Sequence, residues 1–329
     1  MVDKAKKLLV LSSGGDAPGM NAAIRSVVRT ALYNNFEVYG AVGGYQGILD
    51  QKIIAMNKRF VGNCIQKGGT ILKTGRCQEF YQHEVRVKAA KIINEQNFSA
   101  MIVLGGNGSF NGARLLAEIA NIQTIGIPCT IDNDIYGTEY TIGFDTACNT
   151  ALDAIDKIHD TAFSHNRHFL IEVMGRKSGF LAVEVGIAGG AEYILIPEYP
   201  TSSAELAVKI KRQSHTKQAS IMVMTEGETP GTSINFAAEL KELTGIDFKV
   251  CILGHTQRGG SPSVRDRTVA SIMGAEAVNA VIHGSSNKML AIEHGVLVFK
   301  DFPPEDKPSR NFNDKELLKM NSILCDIDY

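Results

Sequence analysis

Two aspartates lie two positions apart in the stretch Pro128-Cys129-Thr130-Ile131-Asp132-Asn133-Asp134, a spacing that could serve both proton transfer and cation binding. They follow an apolar run, residues 125–127, that reads as a buried strand; Pro128 ends it because proline has no N–H to donate. Open α/β sheets take ligands at the carboxyl ends of their strands. Alone, Asp-Asn-Asp is also common turn material, and aspartate caps helices. A second feature favours a site: Gly105-Gly106-Asn107-Gly108-Ser109 ends another apolar strand upstream. Glycine clusters at strand ends permit close backbone approach to a ligand. Further along, basic and polar residues recur beside predicted strands. They are Ser164-His165-Asn166-Arg167, Met174-Gly175-Arg176, Thr225-Glu226, Lys249 and Gly254-His255-Thr256-Gln257-Arg258-Gly259-Gly260-Ser261-Pro262. One arginine at a strand end is ordinarily a surface ion pair. Several at similar positions point to phosphate, whose oxygens match the guanidinium fork. Paired carboxylates, a glycine cradle and several arginines suit phosphoryl transfer. One carboxylate accepts a hydroxyl proton, a metal bridges the phosphates, and arginines stabilise the transferring charge.

Strand ends are needed to hold these groups, and the chain supplies them in alternation with helices. Residues 7–12 form an apolar strand that runs into Ser13-Gly14-Gly15-Asp16-Ala17-Pro18-Gly19-Met20-Asn21. The following helix points Ala22, Ala23, Val27, Val28 and Leu32 inward, with Arg25 and Arg29 on a different side. The glycine-rich turn is either an anion-binding loop, aided by the helix amino end, or a tight structural turn. It is neither GxGxxG nor the lysine-bearing phosphate loop. Strands are expected at 38–42, 100–104 and 125–127, with helices at 84–96 and after Ser109, which Ser109 or Asn107 could cap. Between them lie Gly43-Gly44-Tyr45-Gln46-Gly47, Gly68-Gly69-Thr70 and Thr74-Gly75-Arg76-Cys77. A second series follows: helix 144–162, strand 168–174, helix 179–188, strand 193–196, helix 203–213, strand 219–225, helix 235–243 and strand 249–253. Helix 264–281, an apolar run at 289–292 and a short helix at 315–320 complete the chain. Two series of similar grain, hinged near residue 143, predict two three-layer α/β lobes with mostly parallel sheets and an active site in the cleft between them.

Composition narrows the function further. The 329 residues can bury large cores, and the formal net charge of −1 gives no reason to expect nucleic acid or an anionic membrane as partner. No uninterrupted 18-residue apolar stretch and no signal-type amino end occur, so a soluble, cytoplasmic protein is expected. The six cysteines are scattered without a CxxC pair, as reduced thiols would be.

Four motifs, in order and well spaced, together resemble the bacterial ATP-dependent 6-phosphofructokinase family from the first strand to near the carboxyl end. They are Gly14 through Asn21, Pro128 through Asp134, Met174-Gly175-Arg176, and Gly254 through Pro262. The resemblance implies that Asp132 is the base for the sugar 1-hydroxyl and that Asp134 helps organise Mg²⁺. Thr130 would contact substrate, Arg76 and Arg176 would clamp the transferring phosphoryl group, and Glu226 and Met174 would meet the sugar. Arg167, Lys249, His255 and Arg258 would lie near its 6-phosphate. Gly15, Tyr45, Cys77, Gly106, Gly108, Ser109 and Gly112 match the nucleotide site. It implies an ATP-binding lobe over 1–143, rejoined by about 257–308, and a fructose 6-phosphate lobe over 144–256, rejoined by 309–329. It also implies a homotetramer with shared active and effector sites.

Three departures mark this chain within the resemblance. Asn107 stands where the family usually has an aspartate beside the magnesium, Lys249 where it has a phosphate-binding arginine, and Cys129 where it has glycine. Pyrophosphate-using relatives tend to carry an aspartate at the Gly108 position and a lysine at the Cys129 position, so ATP is the expected donor. The alternatives are a pyrophosphate-dependent enzyme and a regulatory or scaffold paralog weakened by Asn107. Arg25 and Arg29 match basic residues of the family's effector site for ADP or phosphoenolpyruvate; Glu192 and Lys217 would join them, with Lys58 and His159 at altered positions.

Overall fold

Leu8, Leu9, Val10 and Leu11 are all fully buried, so their run has no solvent face and fits a strand covered by helices on both sides. It is β1 (Lys7–Ser12), and it opens a computed structural model that describes residues 5–213, 219–227, 231–304 and 309–325. In chain order follow α1 (Met20–Tyr33), β2 (Glu37–Ala41), α2 (Tyr45–Leu49), β3 (Ile53–Met56), α3 (His83–Glu95), β4 (Phe98–Gly105), α4 (Asn107–Ala120) and β5 (Gln123–Pro128). The next series is α5 (Phe144–His165), β6 (His168–Val173), α6 (Phe180–Ala188), β7 (Tyr193–Leu195), α7 (Ser203–Gln213), β8 (Ser220–Thr225), α8 (Thr232–Thr244) and β9 (Phe248–Ile252). Then come α9 (Val264–Ile282), β10 (Lys288–Glu293), β11 (Val296–Asp301) and α10 (Lys315–Leu324).

These elements fall into two compact units. The first comprises Met1–Ile131, Ile135–Thr146 and Arg258–Ser309; the second comprises Asp132–Asp134, Ala147–Gln257 and Arg310–Tyr329. The first unit holds a seven-stranded sheet in the order β11-β10-β5-β4-β1-β2-β3. Its five inner strands are parallel, and β3 and β11 close the edges antiparallel to β2 and β10. Leu9, Leu11, Met101, Val103, Phe110, Leu116 and Phe302 pack in the core against this sheet. From β1 the next strand, β2, lies on one side and β4 on the other, so strand order reverses between β1 and β4. A crevice is expected at the carboxyl ends of such a pair.

The second unit holds an all-parallel sheet ordered β7-β8-β6-β9, with Leu170, Leu195, Leu206, Met222, Leu240 and Phe248 in its core. Strand order reverses here as well, because β8 and β9 flank β6. Both sheets are therefore mostly parallel, as the alternation of apolar runs requires. The edge strands β3 and β11 depart from that expectation: Ile53 and Ile54 are only partly buried, and no residue of β11 is fully buried, so their sequences lack the continuous apolar run of the inner strands.

Candidate active site

In the first unit the loops after β1 and β4 lie side by side. Ser13 N–H donates to the Leu104 carbonyl at 2.9 Å. Gly14 has φ +88, a left-handed conformation that glycine adopts without strain, and its N–H reaches the Gly75 carbonyl at 3.2 Å. Thr74 Oγ1 donates to the Gly14 carbonyl at 3.0 Å, so the segment before Arg76 is tied to the β1 loop. Arg76 itself is exposed. A Cβ on Gly15 would lie 2.8 Å from Arg258 Nη1, and that guanidinium donates to the Asp16 carbonyl at 3.2 Å. Arg258 thus packs on the glycine turn after β1.

The β4 loop leads straight into α4. Its N-cap is Gly106, which has no side chain to offer, so neither Asn107 nor Ser109 is the cap that the sequence suggested. Asn107 opens the helix instead, and its Nδ2 donates to Ser309 Oγ at 3.2 Å. No acidic residue occupies the first turn, which leaves the partial positive charge of the helix end available to an anion. Tyr45 supports this end from behind. Its ring stacks on Phe80 at 4.2 Å, and its hydroxyl donates to the Ser109 carbonyl at 2.6 Å. Gly112 makes room for it, since a Cβ there would meet the Tyr45 ring at 3.2 Å. Burial raises the Tyr45 phenol far above its ordinary pKa. Cys77 donates to Gln46 Oε1 at 3.3 Å, and its thiol is likewise raised by burial. Gly106 and Gly108 face open space or a distant Tyr81 hydroxyl, 3.7 Å from a Cβ at Gly108.

Cys129 and Thr130 extend β5 through a parallel bridge to residues 141–142. Cys129 pairs with Ile142, Thr130 N–H donates to the Ile142 carbonyl at 3.1 Å, and Thr141 Oγ1 donates to the Thr130 carbonyl at 2.7 Å. Cys129 is fully enclosed, and burial pushes its thiol well above the usual range, so it is a packing residue and no nucleophile.

The second unit carries Asp132 and Asp134, both half-buried, with buried Asn133 between them at φ +50. Asparagine tolerates that left-handed conformation better than most residues. At the end of β6, Gly175 has φ +141, and a Cβ there would collide with the Ser178 carbonyl oxygen. The turn closes with Ser178 N–H on the Gly175 carbonyl at 2.9 Å. It sets Arg176 at φ +54, exposed, with Nε 4.0 Å from Glu226 Oε1. Glu226 is buried and donates its N–H to the Val173 carbonyl at 2.7 Å. Buried Gln257 accepts from Met174 N–H at 3.4 Å and donates to the Gly254 carbonyl at 3.0 Å, joining the ends of β6 and β9. Met174, Arg176, Glu226 and His255 are therefore gathered at the carboxyl edge of one sheet.

Arg167 and His255 are exposed. Lys249 is paired with Asp247 at 2.5 Å, and Asp247 also meets Lys241 at 2.8 Å. The two ammonium groups lower the Asp247 carboxyl to about 2. Sequence reasoning did not mark Asp247, although its place two residues before Lys249 put both on one face of the strand entry. Ser178 and Gln257 were also missed as supports; the bonds of Ser178 to Asp132 and of Gln257 to Met174 join residues remote in sequence, which no local pattern reveals.

The expected effector residues divide between the units. Arg25 and Arg29 lie on α1 in the first unit, where burial raises the Cys64 thiol and the charges of Arg25, Lys67 and Arg29 pull it partly back. Lys58 is exposed in the same unit. In the second unit, His159 Nε2 lies 2.7 Å from the Gly189 carbonyl, and Glu192 accepts from Ile221 N–H at 2.7 Å. Lys217 lies outside the described residues.

Comparison with known proteins identifies the family. A family profile described as Phosphofructokinase matches residues 7–281. The ATP-dependent 6-phosphofructokinase of Coxiella burnetii is 58% identical over 97% of this chain and 98% of its own. That of Thermoanaerobacter sp. is 48% identical over 97% and 99%, respectively. Among solved structures, the phosphofructokinase of Pichia pastoris in the T-state aligns with a TM-score of 0.85 at 33% identity, covering 92% of this chain and 35% of that one. The chain belongs to the phosphofructokinase family.

Proposed function

We propose that this protein transfers the γ-phosphoryl group of ATP to the 1-hydroxyl of fructose 6-phosphate, giving fructose 1,6-bisphosphate and ADP. Relatives that bear the name of this activity match along nearly their whole length, which supports the reading. The observation that carries it in the site is the Asp132–Asp134 loop, whose two carboxylates are half-buried. An O–P bond forms from the sugar oxygen to the γ-phosphorus, the bond from that phosphorus to the departing ADP oxygen breaks, and the hydroxyl proton passes to Asp132. Arg76 and Arg176 pair with the charge that spreads over the transferring group. Thr130, Met174 and Glu226 orient the sugar, and Arg167, Lys249, His255 and Arg258 supply positive charge for its 6-phosphate.

The donor set fits Mg²⁺. Among the described residues no group of three or more His, Cys, Asp or Glu side chains is arranged to hold a metal. Magnesium needs no such cage: one or two carboxylates suffice where phosphate oxygens and waters complete its shell. Asp134 would supply the carboxylate and Asn107 a neutral oxygen, and the bound ion would neutralise phosphate charge.

Gly108 and Cys129 lack the charges expected of a pyrophosphate user, which favours ATP. Purified protein with fructose 6-phosphate and Mg²⁺ should form the bisphosphate from ATP and use pyrophosphate far more slowly. Equal or faster use of pyrophosphate would reverse the donor assignment, and no product from either would leave a regulatory protein.

A further inference from the structure

The acidic loop of the second unit is held by donors from two remote stretches of chain. The Asp132 carbonyl oxygen accepts from Ser178 Oγ at 2.7 Å, and the Asp134 carbonyl oxygen accepts from Arg310 N–H at 2.8 Å. Ser178 closes the turn that presents Arg176, just before α6. Arg310 lies on the segment that leads to α10. One side chain joins these two supports. Glu198, in the loop after β7, accepts at Oε1 from Gly179 N–H at 2.9 Å and from Phe312 N–H at 3.0 Å. A closed circuit results: Asp132 to Ser178, along the chain to Gly179, to Glu198, to Phe312, back along the chain to Arg310, and to Asp134.

We propose that Glu198 is a positioning residue for the reaction, setting the spacing between the two donors that fix the Asp132–Asp134 loop and, through the same turn, the site of Arg176. This rests on the reading of Asp132 as the base. The carboxylate sits at the amino end of α6, where the helix dipole favours negative charge. Its approach is close enough to require glycine: a Cβ on Gly179 would lie 2.7 Å from Glu198 Oε2 and 2.7 Å from Ile196 Cβ. The φ of Gly179 is −86, so space and not backbone conformation is the constraint. The 310–312 segment is packed as well as bonded. Phe312 meets Phe180 edge-on at 5.7 Å, and the Arg310 guanidinium lies 4.3 Å over the Phe180 ring. Apolar packing of that kind holds the segment down but tolerates sliding. The two N–H donors converging on one oxygen specify its register, and with it the position of the Arg310 N–H under Asp134. Oε2 is buried without a hydrogen-bond partner among the described residues, so the side chain's polar contacts there are those made through Oε1.

Four variants of the full-length enzyme test this: Glu198→Ala, Glu198→Gln, Ser178→Ala and the double variant of Glu198→Ala with Ser178→Ala. Loss of alignment of about 1 Å at a reacting centre costs on the order of 10²-fold, so Glu198→Ala should lower kcat about 10- to 100-fold. Its KM for ATP should stay unchanged, because the nucleotide loops belong to the other unit. Glutamine keeps an oxygen able to accept both N–H groups and should retain kcat within about threefold. Ser178→Ala should lower kcat too. The double variant should lose less than the product of the single losses, because both changes free the same loop. In hydrogen exchange, the Arg310 and Phe312 amides should lose protection in Glu198→Ala and keep it in Glu198→Gln. A wild-type kcat in Glu198→Ala, or strictly multiplicative losses, would overturn the proposal. If Glu198→Ala does not fold, Gly179→Ala displaces the same carboxylate, and it must show the kcat loss with KM for ATP unchanged or the proposal fails. An inactive native enzyme, or a fully active Asp132→Asn variant, would instead remove the reading of Asp132 as base.

Discussion

Asn107 stands at the first position of α4, where the family resemblance leads one to expect an aspartate near the magnesium. Its amide has work on both sides: Nδ2 donates to Ser309 Oγ, and the backbone begins a helix whose cap is the preceding glycine. The capping explanation for an asparagine here is therefore removed, and the remaining difference from aspartate is charge. A neutral oxygen can accept a hydrogen bond from a magnesium-bound water, but it adds no attraction for the cation. Losses around a metal's ligands commonly amount to about 10–100-fold in affinity or activity. Asn107→Asp should therefore lower the free Mg²⁺ needed for half-maximal turnover, or raise turnover at fixed ATP, within that range. The Ser309 hydroxyl can reverse its bond and donate to the new carboxylate. A magnesium titration of the two proteins decides the point, and superimposable curves would mean that position 107 does not sense the ion. The same argument from charge applies to Lys249, whose ammonium is shared with Asp247 before any substrate arrives.

At the scale of elements, the first turn of α9 ties the 140–146 segment into the first unit. Asp266 is fully buried and accepts from Tyr140 Oη at 2.6 Å, Gly143 N–H at 2.8 Å, Thr146 N–H at 2.9 Å and the Thr146 hydroxyl. Burial pushes its acid above the usual range while these donors pull it back. The segment it grips, residues 140–146, is the one whose Ile142 bridges to Cys129 beside Thr130. Asp266→Asn places an NH₂ against two of those donors, and an unsatisfied buried polar group costs about 1–3 kcal/mol. Urea unfolding of this variant should show a loss of about that size, and an unchanged midpoint would contradict the network. None of this was legible in the sequence, where Asp266 is one acidic residue in the first turn of an ordinary helix. Strands β1, β4 and β5 were legible, because each holds a short apolar stretch that runs into a glycine-rich loop or a proline. β3 and β11 were not, since edge strands with one wet face show only weak alternation. The site residues could be nominated through the family resemblance that the four motifs carry. Their supports could not: the seat of Arg258 against Gly15, the buried place of Tyr45 and the Ser178 bond to Asp132 all join residues far apart in the chain.

Over the whole molecule, the chain's division of labour is most visible at residues 131–135. Ile131 and Ile135 belong to the first unit, yet the three residues between them belong to the second. The carboxylates assigned to proton transfer and to the cation are thus carried by a three-residue insertion into the second unit, where Ser178 and Arg310 of that same unit fix it at its carbonyls. Those two bonds are made by main-chain carbonyls, so they do not depend on the charge of the Asp132 carboxylate. Replacing the Asp132 carboxylate by an amide of the same size should therefore leave the loop and substrate binding intact while removing the proton acceptor. The decisive measurement is the steady-state rate of fructose 1,6-bisphosphate formation from ATP by the native protein and by Asp132→Asn. Loss of a general base typically costs about 10²–10⁴-fold; a kcat lower by on the order of 10² or more, with KM for fructose 6-phosphate little changed, is the expected result. Turnover near that of the native protein would contradict the assignment of Asp132 as the base.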